Sequence, residues 1–129
     1  MHQDLNIPGS QSTPLIQSDW QAGRLHLQGD SYPENSYELF SQVIDWTEAF
    51  LAQASHPLDL DLELVYLNTS SVKAMMDIFD LLEDAHQQGR DVSVIWRYDP
   101  RNERIAELAE EFREDCTFVF TITPGQTPA

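Results

Sequence analysis

The sequence predicts an α/β protein, a mixed β-sheet with helices packed on it in the order β-β-α-β-α-β-α-β. Three observations carry this. Residues 58 to 67, LDLDLELVYL, alternate leucine with acid and then turn fully apolar, as a strand does on entering a core. The residues after them repeat apolar side chains at helical spacing until Gly89 supplies a stop. Strand-like and helix-like stretches then keep alternating, which implies parallel pairs joined by right-handed crossovers.

Taken in order, residues 1 to 12 are polar, contain Pro8 and Gly9, and are expected to form a flexible arm. Thr13 to Gln17 and Arg24 to Gln28, joined around Ala22-Gly23, predict an antiparallel hairpin. After a loop containing Pro33, Asn35 followed by Glu38 makes a capping-box-like start for a helix that runs to about Ala54. Phe40, Val43, Ile44, Thr47 and Leu51 form its inner stripe, widened by Leu39, Trp46 and Phe50.

Residues 58 to 67 are expected to form an inner strand, because a strand buried on both faces need not alternate and Val65-Tyr66-Leu67 does not. The helix after it carries Val72, Met75, Phe79 and Leu82 on one stripe and Ala74, Ile78, Leu81 and Ala85 on the next. Val92 to Tyr98 alternates as a strand and ends at Asp99-Pro100. Arg101 to Asp115 is an acidic amphipathic helix built on Ile105, Leu108, Ala109 and Phe112. Phe118 to Thr123 is the last strand, and the tail, 124 to 129, is expected to be flexible. Nothing marks an internal boundary, so residues 1 to 129 are expected to form a single domain.

Composition excludes several functions. Seven basic against 22 acidic residues give a formal charge of −15, which repels nucleic-acid phosphates and anionic lipid headgroups. The chain has no run of about 18 apolar residues that would insert in a membrane. Its start lacks a basic, apolar secretory signal, so a cytoplasmic location is expected. Cys116 is the sole cysteine, read as a buried, inert thiol. His2, His26, His56 and His86 show no ligand spacing, and Asp59, Asp61 and Glu63 lack the glycine turn of a calcium loop. Five scattered glycines build no phosphate loop. Neither metal nor cofactor is expected, and a regulatory or binding module fits better than an enzyme.

The one unusual cluster is Asn68-Thr69-Ser70-Ser71 at the start of the central helix. Any of the four side chains can cap the helix and one of them is expected to, but capping alone explains at most one of the hydroxyls well. The sharper reading is a phosphorylation site, since a helix N-terminus presents free amides and partial positive charge to a phosphate. Lys73, the only lysine, is read first as an i, i+4 partner of Asp77, and alternatively as serving a partner or a phosphate beside Thr69. A serine hydrolase using Ser70 or Ser71 is a rival from another class, although no nucleophile-elbow pattern surrounds them. A scaffold without switching is a third. Asn68-Thr69-Ser70 also matches an N-glycosylation pattern, which a cytoplasmic chain would never use.

The stretch LELVYLNTSSVKAMMDIFDLLEDAHQQG resembles the central block of STAS domains, with Asn68 to Ser71 standing where that pattern has Asp-Ser-Ser-Gly. A closer resemblance, from about Leu5 to Phe120, is to the SiaC-type family of bacterial regulatory phosphoproteins. It is carried by NIPGSQSTP, GDSYPENSYELF, YLNTSSVKAMMDIFDLLE and RNERIAELAEEFRED. That resemblance implies a STAS-like fold and phosphorylation of Thr69 by a dedicated serine/threonine kinase, reversed by a PP2C-like phosphatase. It also implies that the unphosphorylated protein binds and activates a diguanylate cyclase, raising cyclic di-GMP and promoting aggregation or biofilm formation. Alignment to STAS domains by position favours Ser70 as the acceptor instead. Asn68, Thr69, Ser70, Ser71, Lys73, Asp77 and Asp80 are the candidates for the contact surface.

Overall fold

Strand order in space equals strand order in the chain, and this decides where everything else lies. The computed structural model describes residues 4–125. Its elements are β1 (Asn6–Ile7), β2 (Leu15–Asp19), β3 (Arg24–Ser31), α1 (Ser36–Gln53), β4 (Leu58–Leu67), α2 (Thr69–Gln87), β5 (Val92–Tyr98), α3 (Glu103–Glu114) and β6 (Val119–Pro124). They form one six-stranded sheet, antiparallel from β1 to β3 and parallel from β3 to β6. Crossovers of one hand that always step in the same direction lay all their helices on one face.

That face holds the core. Leu58, Leu60, Leu62 and Leu64 of β4, with Val94 and Trp96 of β5, are buried in one cluster with Phe40 and Phe50 of α1, Met75 and Ile78 of α2, and Phe112 of α3. Trp96 stacks on Phe112 at 5.8 Å, and Phe79 meets Phe112 and Phe120 edge to face at 5.0 and 5.4 Å. The opposite face of the sheet is polar. There Asp61 accepts from Arg97 at 2.6 Å and lies 3.5 Å from His26, while Ser93 donates to Asp59 at 2.6 Å. The strand acids thus line a face that carries no helix and pair across it.

β4 is an inner strand between β3 and β5, as expected. It is not buried on both faces through Val65-Tyr66-Leu67. Val65 is 49% and Tyr66 53% exposed, and only Leu67 is buried. The cause is a bulge. Gly29 of β3 pairs with Leu64 but Asp30 pairs with Tyr66, so Val65 is an extra residue that shifts the alternation by one. Gly29, at φ 114°, supplies the backbone conformation on the facing strand.

The arm expected to be flexible over 1 to 12 is instead tied to the sheet from Asp4 onward. Asn6 and Ile7 pair with Gln17 and Ile16, and the Asp4 carboxylate accepts from the Trp20 amide at 3.0 Å and the Trp46 indole at 3.2 Å. At the other end Pro124 closes β6, and the Gly125 amide donates to the Tyr98 carbonyl at 2.6 Å. The rest of both expected flexible ends, 1 to 3 and 126 to 129, lies outside the described residues. Among the described residues no helix is long and apolar enough to cross a membrane.

Each helix begins on an asparagine whose side chain accepts from the amide three residues on: Asn35 from Glu38, Asn68 from Ser71 and Asn102 from Ile105. The Asn35 side-chain Nδ2 also donates to the Glu38 carboxylate at 3.2 Å, so the two residues of the box-like start are joined side chain to side chain rather than through the Asn35 backbone amide. Because the strands from β3 onward are parallel, all three caps open at the same end of the sheet.

Candidate functional site

At that end β4 runs out at Leu67, Asn68 turns the chain in extended conformation, and α2 starts on Thr69. The turn is held from both sides. The Asn68 amide donates to the Ser31 carbonyl at 3.0 Å, and its side-chain oxygen accepts from the Ser71 amide at 3.0 Å and the Ser70 hydroxyl at 3.2 Å. The cap is therefore Asn68, one of the four side chains expected to serve. An amide oxygen reaches the third amide of a helix as well as a hydroxyl does and leaves the hydroxyls free for other partners.

Those hydroxyls are sorted into three roles. Ser71 is wholly buried and pairs with Ser31 of β3 at 2.8 Å, an O–H joining α2 to the strand beneath it. Ser70 pairs at 2.6 Å with Ser36, the first residue of α1, and so joins the two helix starts. Thr69 is exposed, and its hydroxyl bonds to no other group among the described residues. Ser31 and Ser36 escaped the sequence reading. The one available signal was the position of Ser36 directly after the Asn35 cap.

Beside the turn, α1 and α2 part to leave a groove of about 350 Å³. Its wall is Tyr37, Phe40, Ile44 and Ala74, its rim Ser36, Ser70, Asp45, Asp77 and Lys73. Tyr37 stands 84% exposed at its mouth. The pairing of Lys73 with Asp77 does not form: among the described residues neither side chain enters an ion pair. The order is the unfavourable one, since a base preceding an acid by four residues opposes the helix dipole and gains less than the reverse. Asp80 lies apart from this groove and lines a cleft against α3 with Phe112, Asp115 and Cys116.

Among the described residues the arrangement offers no histidine base for a serine nucleophile; His2 lies outside them. His56 bonds the Trp20 carbonyl at 2.7 Å, His26 bonds Gln28 at 3.1 Å on the polar sheet face, and the His86 ring lies 6.3 Å from that of Phe118. None of the three reaches Ser70 or Ser71, whose partners are Ser36, Asn68 and Ser31. No group of three or more His, Cys, Asp or Glu among the described residues is placed to hold a metal. The Cys116 thiol is half-buried rather than buried, and burial followed by the Glu83 charge pushes its pKa up to about 11.

The model of the SiaC family regulatory phosphoprotein matches residues 7–125. The chain belongs to the SiaC family. A protein of Pseudomonas aeruginosa (strain UCBPP-PA14) is 76% identical to it over 119 residues, covering 92% of this chain and 94% of the relative. The crystal structure of apo-SiaC from P. aeruginosa superposes with a TM-score of 0.91 at 72% identity, covering 95% of this chain and 99% of that one. A chain in the crystal structure of the diguanylate cyclase SiaD in complex with its activator SiaC, also from P. aeruginosa, does so with a TM-score of 0.92 at 74% identity, covering 95% and 100%. The mixed sheet read from the sequence is the fold of SiaC, with the short β1 added at its edge.

Proposed function

We propose that this chain, as one regulatory domain in the cytoplasm, activates a diguanylate cyclase and is switched off by phosphorylation of Thr69. The observation that carries the choice of residue is the sorting of the hydroxyls. Of the three in the turn, the Thr69 hydroxyl alone is both exposed and unengaged, whereas Ser70 would have to give up Ser36 and Asn68 and Ser71 is sealed beneath the helix. Family membership supports the rest: a relative of 74% identity is described as the activator of the diguanylate cyclase SiaD.

In the transfer, a bond forms between the terminal phosphorus of ATP and Thr69 Oγ1, the bond from that phosphorus to ADP breaks, and the hydroxyl proton passes to a base of the kinase. The product carries about two added charges beside the groove. A cyclase segment seated over Asn68 to Ser71, Lys73 and Asp77 would meet a dianion where it had met a hydroxyl, and desolvating that charge disfavours the complex. Release by a PP2C-like phosphatase restores the hydroxyl, the complex and the output of cyclic di-GMP, and with it aggregation or biofilm formation.

The test incubates wild type, Thr69→Ala and Ser70→Ala with the cognate serine/threonine kinase and ATP, locates phosphate by mass spectrometry, and assays cyclase binding and cyclic di-GMP synthesis. Wild type and Ser70→Ala should take phosphate at residue 69 and lose the cyclase, while Thr69→Ala stays unmodified and active. Phosphate on Ser70 in the wild type, or full cyclase activation by the phosphorylated protein, would overturn the reading, the latter in favour of a scaffold.

A further inference from the structure

We propose that Lys73 is the residue that reads the modification: it lines the α1–α2 groove while Thr69 is free and pairs with the phosphate once Thr69 carries one. This rests on Thr69 as the acceptor. Lys73 is the only lysine of the chain and the only cation among the residues of the groove. Among the described residues it has no carboxylate partner even though the chain carries 22 acids. Arg24 and Arg104 also enter no ion pair among the described residues, so it is the position of Lys73 beside Thr69 that singles it out.

Helix geometry directs it. Thr69 and Lys73 are four residues apart on α2 and both are exposed, which puts their Cβ atoms about 5–6 Å apart on one face. Helical side chains lean toward the N-terminus, so the lysine stem runs back over the turn that carries Thr69. The six arginines are placed otherwise. Arg97 is bound to Asp61, Arg101 to Asp99, Arg113 to Glu110, and Arg90 to the Leu51 and His56 carbonyls. Arg24 sits where β3 begins, at the far end of the sheet. Arg104 lines a cleft with Val65, Tyr66 and Leu67 on α3 and is the one competitor near the turn.

Pairing with the phosphate draws the ammonium out of the groove. The groove then presents Asp45 and Asp77 with no compensating charge, so the modification alters a contact surface wider than the phosphate itself. The chemistry is that of a charge-assisted N–H···O⁻ bond to a phosphomonoester dianion.

The experiment separates this inference from the reading it rests on. Phosphothreonine is installed genetically at position 69 in wild type, Lys73→Gln, Lys73→Arg and Arg104→Gln, and its second ionisation is followed by ³¹P NMR between about pH 4 and 8, which brackets the phosphate pKa. Lys73→Gln should raise that pKa by about 0.3 units, the size expected of an i, i+4 pair, Lys73→Arg should restore it, and Arg104→Gln should leave it unchanged. A wild-type titration in Lys73→Gln, or a shift in Arg104→Gln instead, overturns the role of Lys73 and leaves the acceptor assignment untouched. Kinase treatment of the unmodified protein answers the other question, because phosphate found away from Thr69 sinks the acceptor reading.

Discussion

Asn68 and Thr69 are neighbours with opposite duties, and their substitution should show it. The Asn68 side chain holds the Ser71 amide and the Ser70 hydroxyl, so Asn68→Ala should lower stability by about 1 kcal/mol in urea denaturation, as loss of a helix cap does. Among the described residues the Thr69 hydroxyl bonds to nothing, and alanine is the better helix former, so Thr69→Ala should change stability by less than about 0.5 kcal/mol. A larger loss in Thr69→Ala would mean that the hydroxyl is part of the fold rather than held for the switch. At this scale the sequence showed where the hydroxyls cluster and could not sort them. Ser31 and Ser36, which engage Ser71 and Ser70, stand 40 and 34 positions upstream, and a serine carries no mark of the distant partner it will meet. The isolated Lys73 was equally invisible, because spacing alone reports an i, i+4 opportunity and not its use.

Between elements, α2 is fastened to the α3–β6 connection through one acid. The Glu83 carboxylate accepts from the Thr117 amide at 2.7 Å, the Thr117 hydroxyl at 2.6 Å and the Gln87 side chain at 2.8 Å. These bonds, the backbone one foremost, hold its pKa down at about 2 against an ordinary 4.5. A carboxylate depressed in the folded state stabilises it above the unfolded pKa, and that contribution disappears as pH falls from about 4.5 through about 2. Thermal melts should therefore show Glu83→Gln less stable than wild type at pH 7, with the gap closing toward pH 2. A constant gap would show that charge plays no part in the fastening. The three helices and the inner β4 were legible, since each has a long apolar period bounded by an asparagine cap or a strand alternation. β1 was not, being two residues that owe their conformation to pairing with β2 rather than to a pattern of their own. Nor was the bulge, because its extra residue is Val65 inside an apolar run, where a shift in alternation leaves no trace.

Across the molecule, acidity and one-sidedness dominate. A formal charge of −15 is offset among the described residues by few ion pairs, so the folded state repels itself. Raising sodium chloride from about 0.02 M to about 0.5 M shortens the range of that repulsion, and the melting temperature should rise with it. A melting temperature that falls instead would assign more weight to the Asp61–Arg97 pair on the sheet's open face than its partial exposure suggests. The identity of strand order with chain order has a further consequence, for birth rather than for function. Each strand after β1, as it leaves the ribosome, finds one of its neighbours already made. The turn that carries Thr69 inherits this: Ser31 and Ser36, which hold it, both precede it, so it can be set before β5, α3 and β6 exist.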